Sequence, residues 1–465
     1  MSAQQTATRP GTGEHIDLRA LPLAPRNPLP YRQRLHAVRH FHTGLETLRD
    51  AGGPVTRVVL APKWLLPPAV AVTSPQGAHD VLGHSGAAID RAQAHEEMRR
   101  LLGPNLFDLP NEPWLPRRRT LQPLFTKQHV RAFGGHMAQA ADMVAAGWPA
   151  GAPIDLDREC RRLTLRALGR SVLGLDLDDH TEAIADPLRV ALSYVADRAV
   201  APVRAPRWLP TPARRRARAA AATLHRLAND ILQACRTDPT RDAPLVQAMI
   251  AAADPATGSA LTDDEICSEL VVFMLAGHDT TATALTYALW ELGNRIDIQR
   301  KVAAEVAELG DRELTSDDVP RLSYTVQVLH EALRLCPPGA ITGRTATCDI
   351  TVDGYRVEAG TMLAVGIYAL HRDPALWDRP LEFDPDRFSP ENSKGRDRWQ
   401  YLPFGAGPRS CIGDHFAMLE ATLALATIVR SHEIRSVSTE FPMAVPFTTV
   451  AAAPIYARAT QRTGR

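Results

Sequence analysis

Cys411 lies in the stretch PFGAGPRSCIGDHFA (403–417), among Gly405, Gly407 and Gly413 and two residues after Arg409. Glycines gather where a backbone takes positive φ or lets another group come close. A lone thiol in such a loop is either a small buried hydrophobe or a ligand. A helix predicted from about Asp414 to Ser431 brings amide donors and a positive dipole end near the sulfur, and both stabilise thiolate. Amides aimed at a sulfur also tune a bound metal. One thiolate does not make a zinc site, which takes four ligands, or three and a water. It does suffice as the only protein ligand of a heme iron, because the macrocycle supplies four donors. Arg409 is then spaced to hold a heme propionate by charge-assisted hydrogen bonds.

Two further patterns could do chemistry. AGHDTT (276–281) puts Gly277 and two threonines in the middle of a strongly helical segment. Glycine costs about 1 kcal/mol there relative to alanine, and threonine hydroxyls divert backbone carbonyls and bend helices. Small residues beside an acid and a hydroxyl suit a small ligand and a proton path. An equally simple reading has His278 and Asp279 facing solvent and Gly277 easing helix packing. In HEALR, Glu331 and Arg334 stand at i and i+3, a spacing usually worth about 0.2–0.5 kcal/mol on a helix surface. Arg387, in the proline-bound stretch FDPDRF, is a candidate second arginine for the same carboxylate, which would pin that meander to the helix.

In this order the patterns resemble those of the cytochrome P-450 heme-thiolate monooxygenases. FGAGPRSCIG (404–413) matches their cysteine loop, F-G-x-G-x-R-x-C-x-G, without a mismatch. Ala276–Thr281 matches A-G-x-D/E-T-T, Glu331 and Arg334 match E-x-x-R, and Arg387 falls in a P-x-R-F-like meander. Trp114 and Arg118 match a W-x-x-x-R pattern, and Arg344 matches an arginine after the E-x-x-R helix. The resemblance implies heme b (iron protoporphyrin IX) ligated by Cys411. Arg409, Arg344, Trp114 and Arg118 are expected at its propionates, and Phe404, Gly405 and Gly413 are expected to shape the loop around it. Ala276 and Gly277 would border the oxygen site, with Asp279 and Thr280 managing protons. Glu331, Arg334 and Arg387 would be structural. The implied reaction is hydroxylation of a C–H bond of a lipophilic molecule such as a fatty acid, terpenoid or sterol, using O2. Electrons are expected from a separate ferredoxin and ferredoxin reductase, with Arg117–Arg119 as one docking face. Substrate contacts are expected near 102–109, 201–212, Phe273, Ala276, 339–341 and 447–448. Pro116 is unusual inside a helix and predicts a start near Trp114–Leu115. His371, in HRDP, is read as structural.

The elements that must position these residues are mostly helical. Of 465 residues, 45% are hydrophobic and 23% charged, as in globular domains. The net charge of +1 gives no pull toward nucleic acid. Six scattered cysteines without a CxxC pair argue against disulfides and structural zinc and for a reducing cytoplasm. Neither a signal peptide nor a membrane span is read. A proline-rich segment (1–45) precedes a single domain (46–465), expected to be monomeric. Strands are predicted over 55–60 and 69–72, helices over most of 74–337, a proline-rich loop at 201–212, and short strands after Pro338. LTDDE marks a helix start, with Thr262 and Glu265 as a capping box, and the following 30 or so residues are apolar on nearly every face. The predicted class is mainly α with a minor β-sheet (α+β), the heme lying between the long central helix and the cysteine-loop helix.

Overall fold

Thr262 opens the central helix as its sequence predicts. Its hydroxyl accepts from the Glu265 amide at 3.3 Å, and the Glu265 carboxylate accepts from the Thr262 amide at 2.9 Å. In the computed structural model, which describes residues 6–8, 15–64, 66–83, 87–149, 151–175, 181–200, 205–206 and 208–462, this helix runs Asp263–Asn294. At 1.5 Å per residue that is roughly 48 Å. Buried Leu270, Val271, Met274, Leu285 and Leu289 line it on several faces, because helices Leu156–Leu168, Pro212–Thr237, Ser323–Leu335 and Asp414–Ser431 all pack on it.

The main sheet has five strands in the order Val55–Val58, Ala69–Val72, Met362–Gly366, Ile341–Ala346 and Ile89–Arg91. Only the Ala69–Val72/Met362–Gly366 pair is parallel. In this register Arg91 lies directly opposite Arg344. Directly opposed residues project from the same face, so the pairing sets two guanidinium groups side by side.

The predicted strand 69–72 and helix 414–431 have the observed ends, and strand 55–60 stops at Val58. Ile89–Arg91 and Pro153–Asp155 are strands within the stretch read as helical. The helix bearing Trp114 begins at Asn111, ahead of the predicted start, so Pro116 does lie inside it. Within 201–212, residues 201–204 and 207 are outside the described residues, and Pro212 already belongs to the next helix as its N1 residue.

Candidate functional site

The central helix is buried over residues 266–275 and again from 281, yet Ala276 is exposed and Gly277 and Thr280 are half-buried. A helix enclosed on both sides of an accessible notch borders a cleft. Thr280 Oγ1 donates to the Ala276 carbonyl at 2.7 Å, as helical threonines do. A Cβ on Gly277 would meet Leu168 Cδ1 at 3.0 Å, so this glycine lets helix Leu156–Leu168 approach. His278 and Asp279 do not face open solvent. His278 is 2% exposed, its Nδ1 lies 3.3 Å from Thr164 Oγ1, and burial lowers its pKa to about 4. Asp279 pairs with Arg161, which also binds Asp157 at 2.8 Å.

The cysteine loop forms as its glycines require. Gly405 and Gly407 have φ of +67° and +72°, and a Cβ on Gly407 would stand 1.9 Å from the Leu82 carbonyl oxygen. The Cys411 amide donates to Phe404 O at 2.9 Å, closing the turn. Cys411 is exposed to solvent, with protein packed closely around its position. Burial pushes the thiol up to about 11, opposed by the Gly413 amide at the helix start. The expected amide assistance is therefore present, joined by the field of Arg118, but smaller than the cost of burial.

Beside this loop the cations converge. Arg409 stacks 4.4 Å over Trp114 and donates to Leu109 O at 2.8 Å and Asn111 Oδ1 at 2.8 Å. Arg118 donates to Ser410 O at 3.1 Å. Arg344 donates to Thr342 Oγ1 and Gly343 O, both at 2.9 Å. Arg91, which the sequence reading missed, completes the group, and its buried Nε has no partner. Burial and the fields of Arg344 and Arg409 hold the Arg91 guanidinium well below its usual range. Burial likewise lowers Arg344 and Arg409 to about 10. Asp90, 3.8 Å from Arg409, and buried Asp108, whose field reaches Arg91, are two acids against several cations. Like charges gathered out of water call for anions.

The Glu331–Arg334 pair is not a surface contact. Both residues are 0% exposed, and Arg334 donates to both Glu331 oxygens at 2.7 Å. It also reaches the His371, Pro380 and Glu382 carbonyls. Arg387 Nε lies 3.3 Å from Glu331 Oε1 and does pin the meander to the helix. His371 is fully buried and its Nε2 accepts from the Leu402 amide at 2.8 Å.

The accessible thiol, the small-residue notch and the buried cation cluster form the binding set of a planar, dianionic metallocofactor. The family model for cytochrome P450 matches residues 22–454. The chain belongs to the cytochrome P450 family. It is 36% identical to cyclooctatin synthase of Streptomyces melanosporofaciens over 74% of this chain and 75% of that protein. It is 33% identical to cyclooctat-9-en-7-ol 5-monooxygenase of the same organism, over 75% of this chain and 76% of that one. The heme domain of cytochrome P450DA superposes with a TM-score of 0.84 at 26% identity, covering 95% of this P450 and 98% of that chain. The protein is thus an oxygen-incorporating oxidoreductase with heme b as cofactor, and its residues fit that group. Cys411 offers one soft donor, and Arg91, Arg344 and Arg409 offer three cations side by side, of which the buried Arg91 Nε has no hydrogen-bond partner among the described residues.

The structure corrects one expectation here. Arg117 is not open to a partner, being 6% exposed and bound to Glu265 and Glu269, whereas Arg119, paired with Asp254 at 2.8 Å, keeps its side chain 37% exposed.

Proposed function

We propose that this P450 hydroxylates a lipophilic small molecule, with a terpenoid favoured over a fatty acid or sterol, using electrons from a separate ferredoxin and its reductase. The observation that carries the reading is the accessible Cys411 thiol beside a cluster of poorly neutralised arginines, in a fold that also exposes the AGHDTT notch. The terpenoid preference draws on two relatives from Streptomyces melanosporofaciens, named cyclooctatin synthase and cyclooctat-9-en-7-ol 5-monooxygenase, and on the apolar stretches around 102–109 and 339–341. Among the described residues no helix is long and apolar enough to cross a membrane.

In this reading Cys411 holds the heme iron, with Phe404, Gly405 and Gly413 shaping the loop around it. Arg91, Arg344, Arg409, Arg118 and Trp114 hold the propionates. Heme held there would supply dioxygen activation, which thiolate ligation favours. Ala276 and Gly277 give the cleft its small-residue wall. Asp279, oriented by Arg161, and the Thr280 hydroxyl hold and pass protons at the notch. Glu331, Arg334 and Arg387 fix the meander on which the cysteine loop rests. The protein acts as a monomer.

The test is the absorption spectrum of dithionite-reduced protein under carbon monoxide, alone and as Cys411→Ala. A strongly red-shifted Soret band that is lost in the variant supports the assignment. A band typical of histidine ligation overturns it. Diterpene alcohols and fatty acids are then compared for spin-state shifts, and a larger response to fatty acids refutes the substrate class. Reduction by ferredoxin with its reductase is compared with reduction by a flavodoxin.

A further inference from the structure

Loop 103–110 is fastened at both ends to the parts of the site that do chemistry. At its start the Leu106 amide donates to both oxygens of Glu269 on the central helix, at 2.9 and 3.1 Å. Glu269 is 0% exposed and also binds Arg117 at 2.7 Å, and Arg117 in turn binds Glu265. At the loop's end Arg409, two residues before Cys411, holds the Leu109 carbonyl. Just ahead of them in the chain, buried Asn105 accepts from the Phe107 and Asp108 amides at 3.0 and 3.1 Å and closes a tight turn. Phe107 sits at the crest and is 38% exposed, among loop residues that are otherwise mostly buried. Its ring meets Arg91 at 5.1 Å, His95 at 4.9 Å and Phe447 at 6.2 Å.

A carboxylate taken wholly out of water costs several kcal/mol unless it is paired and hydrogen-bonded. Glu269 meets that condition by spending its oxygens on one buried arginine and one loop amide, the latter 163 residues away in sequence. We propose that Glu269, braced by Arg117, is a positioning residue that fixes the backbone of loop 103–110 and so holds Phe107 at the cleft, setting which ligand shapes are admitted. This rests on the reading above that residues 102–109 border the substrate.

The experiment uses the heme-loaded enzyme and two readouts. Hydrogen exchange of the peptide spanning 101–110 is followed by mass spectrometry, and the Kd ratio for imidazole and bulky clotrimazole is read from the Soret band. In Glu269→Leu, exchange in that peptide rises about tenfold relative to the rest of the chain, and the Kd ratio shifts about tenfold in the direction of Phe107→Ala. Glu269→Gln, whose amide oxygen still accepts from Leu106 and Arg117, stays near wild type. Glu269→Ser, too short to reach the loop, serves in place of the leucine variant if that one does not take up heme. A lower melting temperature with unchanged loop exchange makes Glu269 a stabiliser only and overturns the proposal, as does faster exchange with an unchanged ratio. An unchanged ratio in Phe107→Ala overturns the reading of the loop as a pocket wall. A shift in Phe107→Ala without one in the Glu269 variants overturns the positioning role alone.

Discussion

Arg334→Leu removes a buried guanidinium that makes five hydrogen bonds. It donates to Glu331 twice at 2.7 Å and to three backbone carbonyls, of His371, Pro380 and Glu382, at 2.8, 2.6 and 3.0 Å. In the variant, Glu331 keeps the Asp384 amide at 2.9 Å and the Arg387 ion pair at 3.3 Å. The carbonyls lose this donor. Each buried orphan costs about 1–3 kcal/mol, and breaking a buried pair costs about 3–5 kcal/mol. Leucine offsets about 2 kcal/mol through apolar burial. Because the terms overlap, the net loss is at least about 4 kcal/mol, against about 5–15 kcal/mol of total stability for a typical native protein. Removing the acid as well, in Glu331→Leu/Arg334→Leu, relieves a weakly compensated buried charge but leaves the carbonyls without their donor and Arg387 without its pair, so that protein recovers only part of the loss. The assay is heme per chain and the urea midpoint of each variant against wild type. Arg334→Leu with full heme content and an unchanged midpoint would refute the claim that this network holds the meander and, through it, the cysteine loop.

Other substitutions separate further contributions. Gly407→Ala drives a Cβ into the Leu82 carbonyl at 1.9 Å and is expected to abolish heme uptake. Gly405→Ala, at a similar φ but with nothing within 4 Å, costs only about 1–2 kcal/mol of left-handed strain; equal heme contents would contradict the steric argument. Glu420 is 0% exposed, neither carboxyl oxygen has a partner at hydrogen-bond geometry, and burial holds its pKa well above 4.5. A raised folded-state pKa gives stability that is full below the unfolded value and lost as pH rises toward the folded one, at roughly 1.4 kcal/mol per pH unit. Glu420→Met should therefore gain on wild type between about pH 5 and 8, and parallel urea midpoints across that range would count against it. Arg161→Leu frees Asp279 from its ion pair and is expected to lower product formation about tenfold while leaving the carbon monoxide spectrum unchanged. Unaltered product per electron pair would remove Arg161 from proton handling.

What the sequence displayed is what local rules govern. The capping box at Thr262 and Glu265, the ends of helix Asp414–Ser431 and the glycine-built cysteine loop depend on neighbours within a few residues, and each formed as expected. Arg91 escaped notice because its meaning lies in a strand register that sets it against Arg344, far along the chain. A three-residue strand carries too little periodicity to announce itself. Arg161 meets Asp279 only because two helices pack closely where Gly277 has no side chain. Arg117 misled for the same reason in reverse. Three consecutive arginines look like a solvated run, but on this helix they diverge, and Arg117 turns inward toward acids on the central helix.

The arginine cluster carries a consequence for stability that runs opposite to ordinary mutational experience. Arg344 is 6% exposed, and burial together with the Arg409 field works against its charge. Arg91 stands opposite it on the next strand and feels both. Gathering such charges raises the free energy of the folded chain unless an anion offsets it. A dianionic cofactor that binds only the folded state returns that energy, adding RT ln(1 + [L]/Kd) to stability. Arg344→Met should accordingly raise the urea midpoint of heme-free protein, because it removes one repelling charge, and lower the midpoint advantage that heme confers. Both midpoints are measurable on the same preparations, before and after heme addition. If Arg344→Met destabilises the heme-free chain as much as the loaded one, the cluster is held together by its own hydrogen bonds to Thr342 and Gly343, and its cations are not poised for a ligand.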